Sequence, residues 1–232
     1  MSKNKQMLSE IIRTVGGIRP IAGRVSLAQG VYGARGNLEL VACDATDGLW
    51  VFWFNADGDD VPLETPDVPP GHWSAGLAFA AGSRYRDAQI VQSTLGPDHL
   101  EVLALTDAGV LESWYWSPGP GFQRRGTDAA ASVNRFRLAH RDGILTVDIE
   151  RADATTAVLT SGGENYPQRI WEAVESTAVV DDPRAAEMLR AHGIRDVVEG
   201  SARAARSTRD GGTTELTWRD RRGGIRHLGI RD

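Results

Sequence analysis

The chain has 232 residues, of which 41% are hydrophobic and 25% charged, and this composition excludes a disordered or collagen-like protein. A formal net charge of -5, from 26 basic and 31 acidic side chains, argues against a protein that mainly neutralises nucleic acid phosphates. The charge is unevenly distributed, because residues 1–36 carry six basic groups and one acid, whereas residues 37–82 carry eight acids and no lysine or arginine. The acidic segment is expected to repel anionic partners.

The single cysteine and the absence of long apolar runs predict a protein of the cytoplasm. Cys43 cannot form an internal disulfide, so nothing in the sequence requires an oxidising compartment. The first residues lack the continuous apolar run of a signal peptide, and no stretch approaches the roughly 18 apolar residues that cross a bilayer. A membrane partner is therefore not expected.

Residues 1–17 are predicted to form an N-terminal amphipathic helix. Apolar side chains recur at the spacing of one helix face, and two glycines follow them: Leu8, Ile11, Ile12, Val15, then Gly16 and Gly17. Docking of this helix on its own domain is favoured over binding to a membrane or to a partner helix.

Residues 18–166 are predicted to form a domain of antiparallel β-hairpins, because short β-type runs alternate with turns rich in Gly, Pro and Asp. The clearest hairpin joins residues 37–42 to residues 49–54 through Asp47-Gly48. Its second arm, Leu-Trp-Val-Phe-Trp-Phe, is apolar on both faces. Such a strand must be covered on both sides, as in a sheet stacked between neighbouring sheets.

A second copy of this hairpin joins residues 100–105 to residues 111–116. The first arms match as Leu-Glu-Leu-Val-Ala against Leu-Glu-Val-Leu-Ala. In both copies a tryptophan follows a turn glycine by five residues: Gly48 with Trp53, and Gly109 with Trp114. The match indicates an internal repeat, and the shared offset predicts the same core position for the two tryptophans.

Two further hairpins follow the repeat. Residues 136–147 share only the pattern of strands around an Asp-Gly turn with the first two copies. Residues 209–232 contain a weaker third copy and are predicted to form a C-terminal hairpin that returns to the β domain.

Residues 167–208 are predicted to form a helical insertion before the last hairpin. Asp182 as N-cap, Pro183 at the first helical position and Gly193 as the stop mark its clearest helix. A further helix is predicted around residues 170–174, and a returning strand at Ile194 to Glu199.

The repeat carries a recognisable family pattern. The pattern consists of Gly-x-Leu-Glu-x-x-Ala, a short gap, Asp-Gly, an apolar strand with Trp, and a later Trp-Ser. It is found in residues 36–53 with Trp73-Ser74, and more loosely in residues 98–116. This pattern resembles blades of the bacterial fucose-binding β-propeller lectins and of their tachylectin and tectonin relatives. The resemblance implies a mainly β, propeller-like fold, partial or irregular, and a non-catalytic protein that binds a glycan or a protein through aromatic clefts.

Five residues are the predicted ligand contacts: Trp73, His72, Trp50, Trp116 and Arg84. Sugar rings present C–H patches that stack on indole faces while their hydroxyls bond to polar groups, so tryptophan beside polar residues suits a glycan site. Trp73 is the strongest candidate for an exposed platform, because it follows a Pro-Pro-Gly turn and His72. Core packing is the competing role for every tryptophan, and a plain surface position is the competing role for Arg84.

No cofactor and no metal are predicted. The five histidines are scattered without a paired spacing that would suit zinc. The turn from Asn55 to Asp60 alternates oxygen ligands, but Gly58 stands at its fourth position rather than the sixth, so a solvated turn is favoured over a calcium loop.

Two other classes of function stay open. An enzyme would place its site where the helical insertion meets the β repeats, with these candidates: His140, Asp148, Glu150, Arg135 and His227. A structural or adaptor module of a larger assembly is the other class, and a homo-oligomer stays open with it. The arginines between residues 203 and 226 could bind an anion or nucleic acid, but acids interleave with them, so a salt-bridged, solvated face is favoured.

Overall fold

The computed structural model describes residues 11–57, 68–96 and 99–232. The chain is mainly β, and the predicted fold class is confirmed: the described residues form four antiparallel sheets of four strands each and a single α-helix. Among these residues, no helix has the length and apolar character that crossing a bilayer requires.

The strands follow one another in chain order. The first eight are β1 (Arg13–Ile18), β2 (Ile21–Gln29), β3 (Leu38–Asp44), β4 (Leu49–Phe54), β5 (Leu77–Phe79), β6 (Tyr85–Gln92), β7 (Leu100–Thr106) and β8 (Leu111–Ser117). The last eight are β9 (Gly121–Arg124), β10 (Val133–Arg141), β11 (Ile144–Arg151), β12 (Thr156–Ser161), β13 (Glu172–Val174), β14 (Arg203–Ser207), β15 (Thr213–Arg219) and β16 (Gly224–Arg231). Helix α1 (Arg184–Ala191) lies between β13 and β14.

Three sheets consist of consecutive strands, and the fourth joins the two ends of the described chain. Sheet 1 is β2 to β5, sheet 2 is β6 to β9, and sheet 3 is β10 to β13. Sheet 4 has the order β1-β16-β15-β14, so β1 adds to the last three strands as an outer strand. Strand β1 pairs with β16 in antiparallel register, with Val15 opposite Ile225.

The predicted N-terminal helix is wrong for residues 13–18, which form β1. Strand β16 would otherwise present a row of unpaired backbone groups at a sheet edge, and β1 satisfies them. Val15 is fully buried against sheet 1, while Ile11 and Ile12 are exposed. Gly16 and Gly17 adopt positive φ within the strand, where the pairing register shifts, instead of ending a helix. Residues 1–10 of the predicted helix lie outside the described residues.

One edge strand of each sheet faces a common axis and is called its inner strand. A cavity is lined by β2, β6, β10 and β14 together, and β2 contacts both β6 and β14. The four sheets are thus arranged in a propeller-like manner, with β2, β6, β10 and β14 as the inner strands.

The hairpin repeat is confirmed, but its predicted tryptophan match is wrong. Leu38 lies opposite Phe54 in sheet 1, and its equivalent Leu100 lies opposite Trp116 in sheet 2. Counting from these pairs, Trp114 corresponds to Phe52, and Trp53 corresponds to Tyr115. The two tryptophans therefore lie on opposite faces of their sheets. The cause lies in the turns. The backbone hydrogen bond that closes the turn is accepted by the carbonyl of Gly48 in sheet 1 and by that of Val110 in sheet 2. Gly109 therefore precedes the position that corresponds to Gly48 by one residue.

Three of the four gaps between neighbouring sheets are filled by apolar side chains from both sides. Between sheets 1 and 2 these include Val41, Leu49, Ile90 and Val102. Between sheets 2 and 3 they include Leu103, Leu111, Phe136 and Val147. Between sheets 4 and 1 they include Val15, Ile225, Leu40 and Phe52. Burial on this scale is the main stabilising contribution to the fold.

The gap between sheets 3 and 4 is different. Strands β10 and β11 alternate, so their apolar side chains face sheet 2 and half-buried polar ones face the gap: Arg135, Arg137, Asp148 and Glu150. Helix α1 covers the remaining face of sheet 4, packing Ala185 and Leu189 against Trp218. The expectation of burial on both faces, made for the two repeat hairpins, thus holds for sheets 1 and 2, whereas sheet 3 buries only one face.

The helical insertion within residues 167–208 is confirmed by α1, although its details differ from the prediction. The helix begins after Pro183, and Asp182 Oδ1 accepts a hydrogen bond from the Arg184 backbone N–H at 3.2 Å. The helix predicted around residues 170–174 is the short outer strand β13, paired with β12. Residues 194–199 form no strand, and they run irregularly along the edge of sheet 4. The division of the chain into domains stays a prediction.

Candidate functional site

A cavity of about 850 Å³ lies between sheets 3 and 4 and reaches the starts of β2 and β6. Its wall combines apolar side chains of the helical insertion, such as Leu189, Ile194 and Val197, with arginines of the inner strands. The cavity exists because sheet 3 turns a polar face to the gap and α1, rather than another sheet, covers sheet 4. Its volume and mixed lining are those of a site for a small molecule.

A second cavity of about 490 Å³ runs along the axis between the four inner strands. Equivalent residues of these strands line it: Ser26 to Gln29, Gln89 to Gln92, Arg137 to His140 and Arg203 to Arg206. Asp182 and Arg203 line both cavities, so the two spaces meet at these side chains.

Positive charge is concentrated where the cavities meet. Arg203 Nη1 donates to the carbonyl of Ala202 at 2.8 Å, and among the described residues no carboxylate forms an ion pair with it. Burial, and after it the charge of Arg24, lower the pKa of Arg203 to about 10. Asp87 and Asp182 oppose this shift through their charges but form no ion pair with Arg203. A half-buried guanidinium that forms no ion pair is stabilised when an anion pairs with it.

The nearby carboxylates are engaged by other arginines. Asp87 binds Arg24, whose Nε lies 2.8 Å from its carboxylate. Asp182 lies 3.8 Å from Arg137. On the sheet 3 side, Arg135 is held between Glu150 and Asp181. Arg24, Arg135 and Arg137 are thus fixed by neighbouring acids. Among the described residues, Arg203 forms no ion pair, and neither do Arg86, Arg190 and Arg195, which also line the large cavity.

Two of the predicted ligand contacts, Trp50 and Trp73, lie on the same face of sheet 1. Trp50 donates its indole N–H to Asp44 at 2.9 Å, and the Arg19 guanidinium carbon lies 3.7 Å from its ring centroid. Trp73 is half-buried, donates to His227 Nδ1 at 3.4 Å and packs beside Phe54. Both rings therefore have packing partners within the protein.

The other three predicted contacts lie apart from each other. His72 is exposed beside Trp73, with Nδ1 2.9 Å from the carbonyl of Pro70. Trp116 belongs to sheet 2, half-buried, with its ring centroid 4.9 Å from that of Tyr32. Arg84 is exposed in the turn before β6, 3.5 Å from Asp107. None of the five predicted contacts lines either cavity.

The residues of the enzyme alternative are partly brought together. Arg135 lines the large cavity and His140 the axial one, while Glu150 binds Arg135. His227 is separate, buried against Glu215 between sheets 4 and 1. No three His, Cys, Asp or Glu side chains of the described ranges form a group that could hold a metal. The turn from Asn55 extends beyond residue 57, outside the described residues.

Sequence reasoning named Arg135 for the enzyme alternative and Arg203 within a cluster of arginines, but it missed Arg24 and did not bring these inner-strand arginines together. The salt bridges predicted for residues 203–226 are present at Arg206, Arg209 and Arg226, but only the Arg206 pair is solvated, because Glu215 and Asp220 are buried. Arg203 differs, because it begins an inner strand. The sequence signal that could have distinguished Arg203 is its place at the start of a short strand, and this signal is weak.

Neither a scan of protein-family models nor a search of curated proteins gives a match. Among solved structures, the chain is similar to the SapL1 lectin in complex with alpha methyl fucoside, at 11% identity and a TM-score of 0.46, over 94% of this chain and 62% of that one. It is also similar to AofleA from Arthrobotrys oligospora, at 13% identity and a TM-score of 0.41, over 96% and 57% of the chains. A third similar structure is the Trypanosoma rangeli sialidase in complex with sialic acid, at 9% identity and a TM-score of 0.43, over 87% and 34%. The chain thus spans less than two thirds of each of these proteins. The class that the fold itself defines is a propeller-like β protein of four sheets.

Proposed function

We propose that this chain is a non-catalytic recognition protein that binds an acidic glycan in the cavity between sheets 3 and 4. One observation carries the proposal: the Arg203 guanidinium lies half-buried where two cavities meet and forms no ion pair with a carboxylate of the described residues. A carboxylate or sulfate on the ligand would supply that partner through two parallel hydrogen bonds, the geometry for which a guanidinium is suited.

The rest of the cavity suits a saccharide. Leu189, Ile194 and Val197 offer apolar surface to the C–H face of a sugar ring. Asn134 and Glu199 line the same cavity and offer a donor and acceptors for hydroxyl groups. Arg86, Arg190 and Arg195 line the same cavity, form no ion pair among the described residues and add positive potential.

Replacement of Arg203 by alanine is expected to weaken binding of an acidic saccharide by roughly 10- to 100-fold, because a charge-assisted bidentate contact contributes about 1.5–3 kcal/mol. An array of neutral, carboxylated and sulfated glycans identifies the ligand, and titration calorimetry gives its affinity for each variant. Arg231→Ala, at the exposed end of β16, removes the same charge and should bind as the unmodified protein does. Absence of any acidic ligand, or unchanged affinity in Arg203→Ala, would contradict the proposal.

The aromatic face of sheet 1 is a second candidate site, as the sequence predicts. Its support is that Trp50 and Trp73 lie half-buried on one face, with His72 exposed beside them; Trp116 and Arg84 would then contribute elsewhere. Here Trp73→Ala is expected to weaken glycan binding about tenfold with the thermal midpoint retained, because stacking rather than packing would be lost. Loss of folding in this variant, or binding equal to that of the unmodified protein, would assign Trp73 to the core.

A further inference from the structure

Three buried glutamates occupy equivalent places in three sheets. Each lies on the strand next to the inner strand of its sheet, opposite an inner-strand residue that lines the axial cavity. The pairs are Glu39 with Ala28, Glu101 with Val91, and Glu215 with Ala205. Their exposed fractions are 7%, 2% and 0%. In sheet 3 the same position, opposite Ala139, is Thr146. A carboxyl group repeated at a buried position needs a partner in each sheet.

In sheet 2 the partner of the glutamate is a guanidinium from the same chain. Arg125 binds both carboxylate oxygens of Glu101, with Nη1 at 2.6 Å and Nη2 at 3.0 Å, and Arg169 binds it as well. The Arg125 guanidinium carbon lies 4.6 Å from the ring centroid of Tyr115, the residue directly opposite Glu101. The guanidinium thus bonds to the carboxylate and lies over the aromatic ring across the strand pair.

Sheet 4 repeats this arrangement. Arg209 binds both oxygens of Glu215, with Nε at 2.9 Å and Nη2 at 3.0 Å. Gly229 lies opposite Glu215, and a Cβ added there would collide with Arg209 Nη2. The guanidinium therefore fills the space that a side chain opposite the glutamate would occupy.

In sheet 1 the glutamate lacks such a partner. Glu39 makes no hydrogen bond or ion pair with any residue that the structure describes. Trp53 lies directly opposite, half-buried, with its indole nitrogen enclosed and without an acceptor among those residues. Gln92 Oε1 is likewise without a donor, and a Cβ on Gly30 would lie 3.1 Å from Glu39 Cγ and 3.5 Å from that oxygen.

The sequence explains why sheet 1 supplies no guanidinium. Arg125 continues β9 opposite Ser113, and the equivalent pair in sheet 1 is Leu77 opposite Val51. Leu77 is 60% exposed and its side chain carries no charge. Residues 37–82 contain no lysine or arginine, and Arg35, in the loop before β3, forms no hydrogen bond or ion pair with Glu39.

We propose that Glu39 and Trp53 form a receptor for a guanidinium group supplied by a ligand. The ligand group would take the place that Arg125 has in sheet 2, bonding to the carboxylate and lying over the indole ring. Arginine-type cations suit this geometry better than ammonium, because the guanidinium is planar and donates in a fixed fork. The composition of segment 37–82, eight acids and no lysine or arginine, favours a cationic over an anionic ligand. This site is independent of the cavity proposed for acidic glycans, and either can exist without the other.

Proton release accompanies binding at this receptor. Burial alone raises the pKa of Glu39 to about 8, and no charged group contributes. The groups that surround it from the other elements, Trp53 of β4, Gln92 of β6 and Gly30 after β2, do not titrate in this range. A cationic ligand requires the ionised carboxylate, so the affinity should rise as the pH passes from 7 to 9.

The test is an NMR titration of the full chain with methylguanidinium chloride, followed through the tryptophan indole N–H resonances. The Trp53 resonance, assigned from its loss in Trp53→Phe, is expected to shift, with about tenfold tighter binding at pH 9 than at pH 7. Methylammonium chloride at equal concentration controls for charge and salt, and it should bind at least about fivefold more weakly.

Glu39→Gln keeps the shape of the side chain and removes its charge, so at pH 9 it is expected to lose at least about tenfold in affinity. Glu172→Gln makes the same change at an exposed position of β13 and should leave the titration unchanged. An unshifted Trp53 resonance at pH 9, equal affinity in Glu39→Gln when its thermal melt shows a folded protein, or equal affinity for methylammonium would each overturn the proposal. None of these outcomes bears on Arg203, so failure here is distinguishable from failure of the glycan site.

Discussion

Replacement of Glu101 by glutamine is expected to lower the free energy of unfolding by roughly 3–5 kcal/mol, the range measured when one partner of a buried ion pair is removed. Arg125 and Arg169 both bind this carboxylate, and their side chains are fully buried. The substitution would leave two guanidinium groups between sheets 2 and 3 without a counter-charge. A loss of this size is a large fraction of the stability of an ordinary domain.

Denaturant unfolding of the two proteins, followed by circular dichroism, measures the loss for Glu101→Gln. Glu150→Gln is the matched control, because it removes one partner of the Arg135–Glu150 pair, which is partly exposed. The control should cost no more than about 1 kcal/mol. Similar losses in the two variants would show that burial of the Glu101 cluster does not set its contribution.

The same substitution at Glu39 is expected to have the opposite effect. Its carboxyl is buried without a partner, and its pKa in the folded protein is raised to about 8 from an ordinary value of 4.5. The folded state therefore holds this proton more tightly than the unfolded chain does. Stability from this group is fully present below pH 4.5 and is lost as the pH rises through about 8. At pH 7 Glu39→Gln should be more stable than the unmodified protein by up to about 3 kcal/mol.

Unfolding free energies measured from pH 5 to pH 9 for Glu39→Gln and the unmodified protein test this expectation, without any guanidinium salt. The difference between the two curves should be small at pH 5, increase with pH and level off above about pH 8 to 9. Parallel curves would mean that Glu39 ionises as easily in the folded protein as in the unfolded chain. Urea is the suitable denaturant, because guanidinium chloride is itself a ligand of the proposed receptor.

The fold was predictable from the sequence wherever the signal is local. Alternation and Asp-Gly turns predicted the hairpins, and the Leu-Glu repeat at residues 38–39 and 100–101 marks structurally equivalent positions. The offset from turn glycine to tryptophan misled, because a turn can shift its glycine by one residue, and a single-residue shift moves a side chain to the other face. The polar alternation of Arg135 and Arg137 was also readable, and it marks the face that borders the cavity.

The candidate sites were less accessible to sequence reasoning, because each is assembled from distant segments. Arg203 and Arg24 meet through the packing of sheets 4 and 1, nearly the whole chain apart. The sequence shows the glutamate of the repeat as an acid within an apolar strand. Whether that glutamate is paired depends on an arginine from a distant segment, and the sequence pattern does not show which sheets have one. The sequence prediction relied on tryptophans instead, and the structure gives a packing or hydrogen-bonding partner to four of the five tryptophans in or just after the two repeats: Trp50, Trp73, Trp114 and Trp116.

The pairing of β1 with β16 has a consequence for biosynthesis. Sheets 1, 2 and 3 each form from one continuous stretch of chain and can fold in turn as that stretch emerges from the ribosome. Sheet 4 cannot, because β1 is made early and its neighbour β16 late. Strand β1 therefore stays without its sheet partner until β16 has been synthesised, and it can form non-native contacts during that time. We expect binding of chaperones to the nascent chain to be greatest just before residues 224–231 emerge from the ribosome.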